Sequence, residues 1–196
     1  MFIALQNAVA SDRTILVFGD SLSAAHGLRP EQGWVALLIE RLKAQGYGYE
    51  VINASVSGET TTGGLTRLPR ELRLTQPGIL ILELGANDAL QGLPLTLARQ
   101  RLAQMIRLAE AAGAHVLLAG LLIPPNYGPR YTRQFADLYP SLARQFHTAL
   151  VPFLLKGVAL DPRLMQQDGL HPNAQGEPLV LDTLWPYLKP MLKKSR

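Results

Sequence analysis

Four short stretches of the chain combine the residue types that acyl chemistry uses. They are "FGDSLS" (Phe18–Ser23), "SVSGET" (Ser55–Thr60), "GAND" (Gly85–Asp88) and "DGLHP" (Asp168–Pro172). In the last, an acid and an imidazole stand three residues apart, close enough for a turn to bring their side chains together. A carboxylate bonded to one ring nitrogen fixes the tautomer and leaves the other nitrogen free to take a proton from a serine hydroxyl. It also stabilises the imidazolium that forms. The stretch therefore supplies a general base and its orienter. None of the other histidines, His26, His115 and His147, has an acid three residues before it, and each reads as structural or exposed.

Those residues need elements to hold them, and the apolar pattern provides candidates. Continuous runs at Ile15–Phe18, Val51–Ala54, Ile79–Leu84, Val116–Ala119 and Leu150–Phe153 predict strands buried on both faces. Apolar spacings of three and four predict helices around Trp34, Leu37, Leu38 and Leu42, around Leu97, Leu102, Met105, Ile106 and Leu108, and around Phe135, Leu138, Leu142 and Phe146. Strand and helix in alternation predict an α/β fold, a parallel sheet covered by helices and joined by right-handed crossovers. Ligands of such sheets bind beyond the carboxyl ends of the strands. The first three runs end in Gly19-Asp20-Ser21, Ser57-Gly58-Glu59 and Gly85-Ala86-Asn87-Asp88. Taken singly, any of these could be an ordinary turn. Three together, with the acid–histidine loop, point to one site.

In order and content the four blocks resemble those of the SGNH (GDSL) hydrolases, and the segments between them resemble the bacterial multifunctional thioesterase and lysophospholipase group. The resemblance spans nearly the whole chain. It implies a flavodoxin-like three-layer α/β/α sandwich on a five-stranded parallel sheet. It also implies Ser21 as nucleophile, His171 as base and Asp168 as its partner. The oxyanion hole would be the Ser21 and Gly58 backbone amides with the Asn87 side chain, and the family's mobile substrate-contacting loop would fall at Ala89–Pro94.

Physical chemistry supports these roles. A serine hydroxyl is a weak nucleophile until a base stands within about 2.6–3.2 Å, and donors aimed at the developing oxyanion contribute about 3 kcal/mol or more each. Gly58 is expected to let a bare amide approach closely, and Gly19 to permit the turn that carries Ser21. Asp20 and Asp88 read as caps or loop braces. With His171 as the base, kcat/KM is expected to rise through one protonation step on the acid side. The acyl chain is expected to lie against Leu90, Leu93, Leu122, Ile123, Pro124, Pro125 and Tyr127, although simple loop packing is the alternative for Leu93 and Leu122.

Composition limits the remaining possibilities. A chain of 196 residues with 47% hydrophobic and 17% charged residues reads as one soluble domain. Its formal charge of +4 is spread rather than grouped, which argues against a nucleic-acid partner. The absence of cysteine excludes disulfides and thiolate chemistry. The expected partner is a small acyl ester or thioester, with at most transient contact with lipid surfaces, no cofactor, no metal and a monomeric state. Residues 1–13 are expected to be a signal-peptide remnant or a ragged start, since Ala8-Val9-Ala10 has the small-x-small form of an export cleavage site, and 14–196 to be the catalytic domain. That favours a periplasmic or secreted protein over a cytoplasmic one. Rival readings are a carbohydrate O-acetyl esterase, a non-catalytic binding module, and a metal-dependent phosphoesterase using Asp20, Asn87, Asp88 and His171.

Overall fold

Runs of Ile, Leu and Val that have no polar face can satisfy their backbone only inside a sheet covered on both sides, and this governs the architecture. A computed structural model of the protein describes residues 11–194. Five strands, β1 (Ser11–Gly19), β2 (Glu50–Asn53), β3 (Pro77–Glu83), β4 (His115–Ala119) and β5 (Ala149–Val151), form one parallel sheet in the order 2-1-3-4-5. Ile15 to Phe18 and every residue of β3 are buried. Seven α-helices follow in chain order: α1 (Trp34–Ala44), α2 (Thr61–Thr75), α3 (Ala86–Leu90), α4 (Leu95–Ala111), α5 (Pro129–Ala136), α6 (Leu138–Phe146) and α7 (Glu177–Leu188). Helix α1 packs with α7, while α2 packs with α4 and α4 with α6, and these two groups form the outer layers of a three-layer sandwich.

Several expectations change in detail. Strand β1 starts at Ser11, three residues before the expected domain boundary, and the Ala8-Val9-Ala10 motif lies outside the described residues. The single helix expected across Phe135–Phe146 is two helices that meet at Asp137. Pro140 explains the break: its ring would clash with the carbonyl four residues back, at Ala136, where α5 ends, whereas in the first turn of α6 it is tolerated. Helix α2 has no counterpart among the expected elements. Its Gly63-Gly64 pair and internal Pro69 mask the spacing of Leu65, Leu68 and Leu72, of which the last two are buried. In α4, Leu97 and Leu108 face outward, so the buried stripe runs through Ala98, Leu102, Met105 and Ile106.

One buried carboxyl ties the start of α1 to the start of α7. Glu177, the first residue of α7, is 2% exposed and its Oε2 accepts the Trp34 backbone N–H at 2.7 Å, where α1 begins. Burial pushes the Glu177 carboxyl up to about 7, against that hydrogen bond. A carboxyl with a folded value above its unfolded one of 4.5 lowers stability as pH rises from about 4.5 to about 7, and the deficit persists above that. Glu177→Gln keeps an acceptor for Trp34 and removes the titration. We expect it to raise the thermal midpoint at pH 8, by about 2–4 °C per kcal/mol recovered, and to change it little at pH 4.5. An equal change at both pH values in a melting series would show that Glu177 is not the titrating group.

Candidate active site

The residues after β1 and β3 meet at the point where the strand order reverses, and β1 delivers Ser21 there directly. The His171 Nε2 lies 2.8 Å from Ser21 Oγ, and His171 Nδ1 lies 2.7 Å from Asp168 Oδ2. The carboxylate assigns the proton to Nδ1 and leaves Nε2 to accept from the serine. The three-residue spacing of acid and base is set by a local turn in which Asp168 Oδ1 accepts the backbone N–H groups of Leu170 (2.9 Å) and His171 (3.1 Å). Partial burial raises the Asp168 carboxyl, but these bonds and the imidazole outweigh it and hold it down at about 2. It therefore stays charged at pH 4 and above, ready to pair with an imidazolium.

Two supports of this loop were not anticipated. The Gln166 N–H donates to the His171 carbonyl at 2.8 Å, and its Nε2 donates to the carbonyls of His26 (2.7 Å) and Pro172 (2.9 Å). His26, read from the sequence as structural or exposed, holds its ring centroid 4.6 Å from that of His171. The contacts to residue 26 cross 140 positions of sequence, so no local pattern announces them.

The expected oxyanion donors have suitable surroundings. Among the described residues, neither the Ser21 nor the Gly58 backbone N–H meets a protein acceptor. Asn87 Nδ2 donates to Asp20 Oδ2 and to the Glu59 carbonyl, each at 3.0 Å, which orients the amide but engages both of its hydrogens, so one of these bonds must be exchanged for the oxyanion when it forms. For Gly58 the structure adds a second reason to the expected one, and for Gly19 it changes the reason. A Cβ on Gly58 would meet nothing within 4 Å, and what requires glycine is its φ of 79°. Gly19 does not adopt a positive φ. Instead a Cβ there would come within 2.5 Å of Glu83 Oε2 and 2.8 Å of Ser23 Oγ, so space rather than the turn demands it.

Asp20 and Asp88 both act as braces. Asp88 accepts the Thr61 N–H at 2.7 Å and its hydroxyl at 2.6 Å at the start of α2, while Asp20 accepts the Leu22 N–H at 3.1 Å and the Asn87 amide. Their oxygens are committed to the protein rather than converging with His171 on one point, which leaves the metal reading without a ligand set. Burial pushes Asp20 up to about 6, opposed by the Leu22 N–H and the nearby His171, then by Glu83 and Asn87. Asp20 is therefore a buried acid beside the site whose charge changes near pH 6.

Beside Ser21 and His171 lies a cavity of about 120 Å³. Of the residues expected to line it, Leu90, Leu122, Ile123 and Pro124 do, whereas Leu93, Pro125 and Tyr127 do not. Leu93 gives its carbonyl to the Tyr131 hydroxyl at 2.9 Å, and Tyr127 donates to the Leu90 carbonyl at 3.1 Å, so both hold the Ala89–Pro94 segment in place instead. Phe153, Leu155 and Leu170 line the cavity as well. The first two follow β5 in a run that reads as core, and no signal marks them as site residues. Apart from Asp20, Ser21, Asn87 and His171, the lining is entirely apolar.

The comparisons with known proteins agree with this geometry. Residues 17–178 match the model of the GDSL-like lipase/acylhydrolase family. The chain is 50% identical over 190 residues to esterase TesA of Pseudomonas aeruginosa, covering 97% of this chain and 94% of that protein. It is 40% identical over 185 residues to thioesterase 1/protease 1/lysophospholipase L1 of Escherichia coli K12, covering 94% and 87%. A solved structure of the psychrotrophic esterase EstA from Pseudoalteromonas sp., inhibited by monoethylphosphonate, superposes with a TM-score of 0.87 at 40% identity, covering 91% of this chain and 97% of that one. The chain belongs to the GDSL-like lipase/acylhydrolase family and is a hydrolase of the SGNH type.

The differing surroundings of the two acids can be read directly. In a carboxyl NMR titration of aspartate-labelled protein, Asp20 is expected to titrate near 6 while Asp168 stays charged down to pH 4. An Asp20 midpoint near the ordinary 3.8 would mean that its site is wet rather than buried.

Proposed function

We propose that the protein hydrolyses acyl esters and thioesters through an acyl-serine intermediate, with Ser21 as nucleophile, His171 as general base and Asp168 as its orienter. The observation that carries this reading is the continuous chain from Asp168 Oδ2 through the His171 ring to Ser21 Oγ, with contacts of 2.7 and 2.8 Å. Ser21 Oγ attacks the acyl carbon as His171 Nε2 takes its proton. The imidazolium then protonates the departing alcohol or thiol, and the same base activates the water that releases the acid.

The Ser21 and Gly58 amides and the Asn87 side chain would receive the negative oxygen of each tetrahedral intermediate. The apolar lining supports an acyl chain, and it favours this over a carbohydrate O-acetyl ester, whose sugar hydroxyls would need polar partners there. Every group in the mechanism comes from one chain, which supports a monomer as the working unit. Exposed Leu122 and Leu170 at the cavity support brief contact with lipid surfaces and no more.

An alkyl phosphonate is expected to add once to the wild type and not at all to Ser21→Ala, as read by intact-protein mass spectrometry. An equal adduct on both would remove Ser21 from the reaction. Asn87→Ala should lower kcat on a p-nitrophenyl ester by about 100-fold or more, with the thermal midpoint nearly unchanged. If the midpoint collapses together with kcat, Asn87 is a structural brace, and the oxyanion would rest on backbone amides alone.

A further inference from the structure

One acidic group at the site has no part in the triad chemistry. Glu83 ends β3 with 0% exposure, directly beneath the turn that carries Ser21. Its Oε2 accepts the Asp20 backbone N–H at 3.2 Å and the Ser23 hydroxyl at 2.8 Å, and Gly19 is glycine because this carboxyl occupies the space a Cβ would need. Glu83 Oε1 is buried with no partner. The side chains of Glu83 and Asp20 lie within hydrogen-bonding reach of each other.

Two carboxylates cannot make that bond, because neither has a hydrogen to give; one of the two must carry a proton. Asp20 has what a charge requires, namely the Leu22 N–H at 3.1 Å, the Asn87 amide at 3.0 Å and the His171 imidazole nearby. Glu83 has only two donors, both on one oxygen, and is fully buried. A buried charge with so few partners is far costlier than a neutral acid.

We propose that Glu83 is a positioning residue of the hydrolase site: it stays neutral and donates its acid proton to the Asp20 carboxylate, which in turn holds Asn87 and the Ser21 turn in register. This rests on the reading of Asn87 as an oxyanion donor. Burial and the neighbouring Asp20 charge both push Glu83 well above the ordinary carboxyl range, in the same direction. The titratable groups packed around the pair are His171 across Asp20, Asp88 on α3 and Tyr139 on α6. Tyr139 donates its hydroxyl to the Leu84 carbonyl at 3.0 Å.

The test compares the wild type with Glu83→Leu and Glu83→Gln on a p-nitrophenyl ester across pH. Glu83→Leu removes the donor to Asp20 and should lower kcat by about 10-fold or more with KM within about twofold. It should also move the acid limb of kcat to higher pH, because Asp20 loses a bond that favours its charge. Glu83→Gln keeps a neutral donor and the acceptor for Asp20 and Ser23, and should restore both kcat and the acid limb.

Infrared difference spectra at pH 8 give a second readout that does not depend on turnover or on the leucine variant folding. The carbonyl band of a protonated carboxyl should be present in the wild type and missing in Glu83→Gln. Glu83→Gln as impaired as Glu83→Leu, a folded Glu83→Leu with wild-type kcat and pH profile, or no protonated-carboxyl band lost in Glu83→Gln would each overturn the proposal. Turnover by the wild type itself tests the esterase reading, so the two can fail separately.

Discussion

The pairing of β1 with β3 is the constraint on which the rest of the site depends. The chain leaves β1 toward β2 on one side and returns to β3 on the other, so the loops beyond these two neighbouring strands diverge and leave a crevice between them. Gly19 lies opposite Glu83 in the register, which puts the nucleophile's turn and the residues before Asn87 at the same height above the sheet. The run Ile15 to Phe18 is apolar on both faces, so burial alone does not set this register, and the polar contacts of Glu83 with the Asp20 N–H and the Ser23 hydroxyl at the strand ends help to fix it. The apolar runs thus do more than fill the core: their register positions the donors of two separate loops around one point.

The base arrives differently. Asp168 and His171 come from a single turn whose shape is set by the aspartate's own bonds to the backbone, so the acid–base geometry is almost independent of the sheet. What remains is to aim that rigid unit at Ser21. Gln166 does this by fastening the loop to its own His171 carbonyl and to the carbonyl of His26, which belongs to the loop after the nucleophile. Local order in the pair, with one polar link to the partner loop, is enough to bring together residues 150 positions apart.

These two modes of construction explain what could be read from the chain. Ser21, Asn87, Asp168 and His171 stand in short motifs whose local geometry does the work, and they were legible along with the strands. Helix α2 was hidden by Gly63, Gly64 and Pro69, which weaken helical spacing although packing against α4 overrides them. Phe153 and Leu155 belong to the cavity only because β5 lies beside β4, and Glu83 looks like the polar end of an apolar run. The demand for glycine at position 19 was visible, but its cause was not, since the clashing atom belongs to Glu83, 64 residues further on.

The same site shows why a buried acid is compatible with stabilising an oxyanion. A carboxylate at Asp20 orients Asn87, yet its charge opposes the negative oxygen that Asn87 would bind. A second buried carboxylate at Glu83 would double that opposition in a region where charges are poorly screened. A neutral Glu83 instead supplies a donor that tethers Asp20 without adding charge, so the amide is held in place against one negative charge rather than two. The arrangement comes at a cost in stability, since burying even a neutral carboxyl forfeits hydration that an apolar residue of similar volume would not need. A buried Oε1 that no protein donor reaches is hard to account for as packing, and easier as the atom that carries the proton given to Asp20.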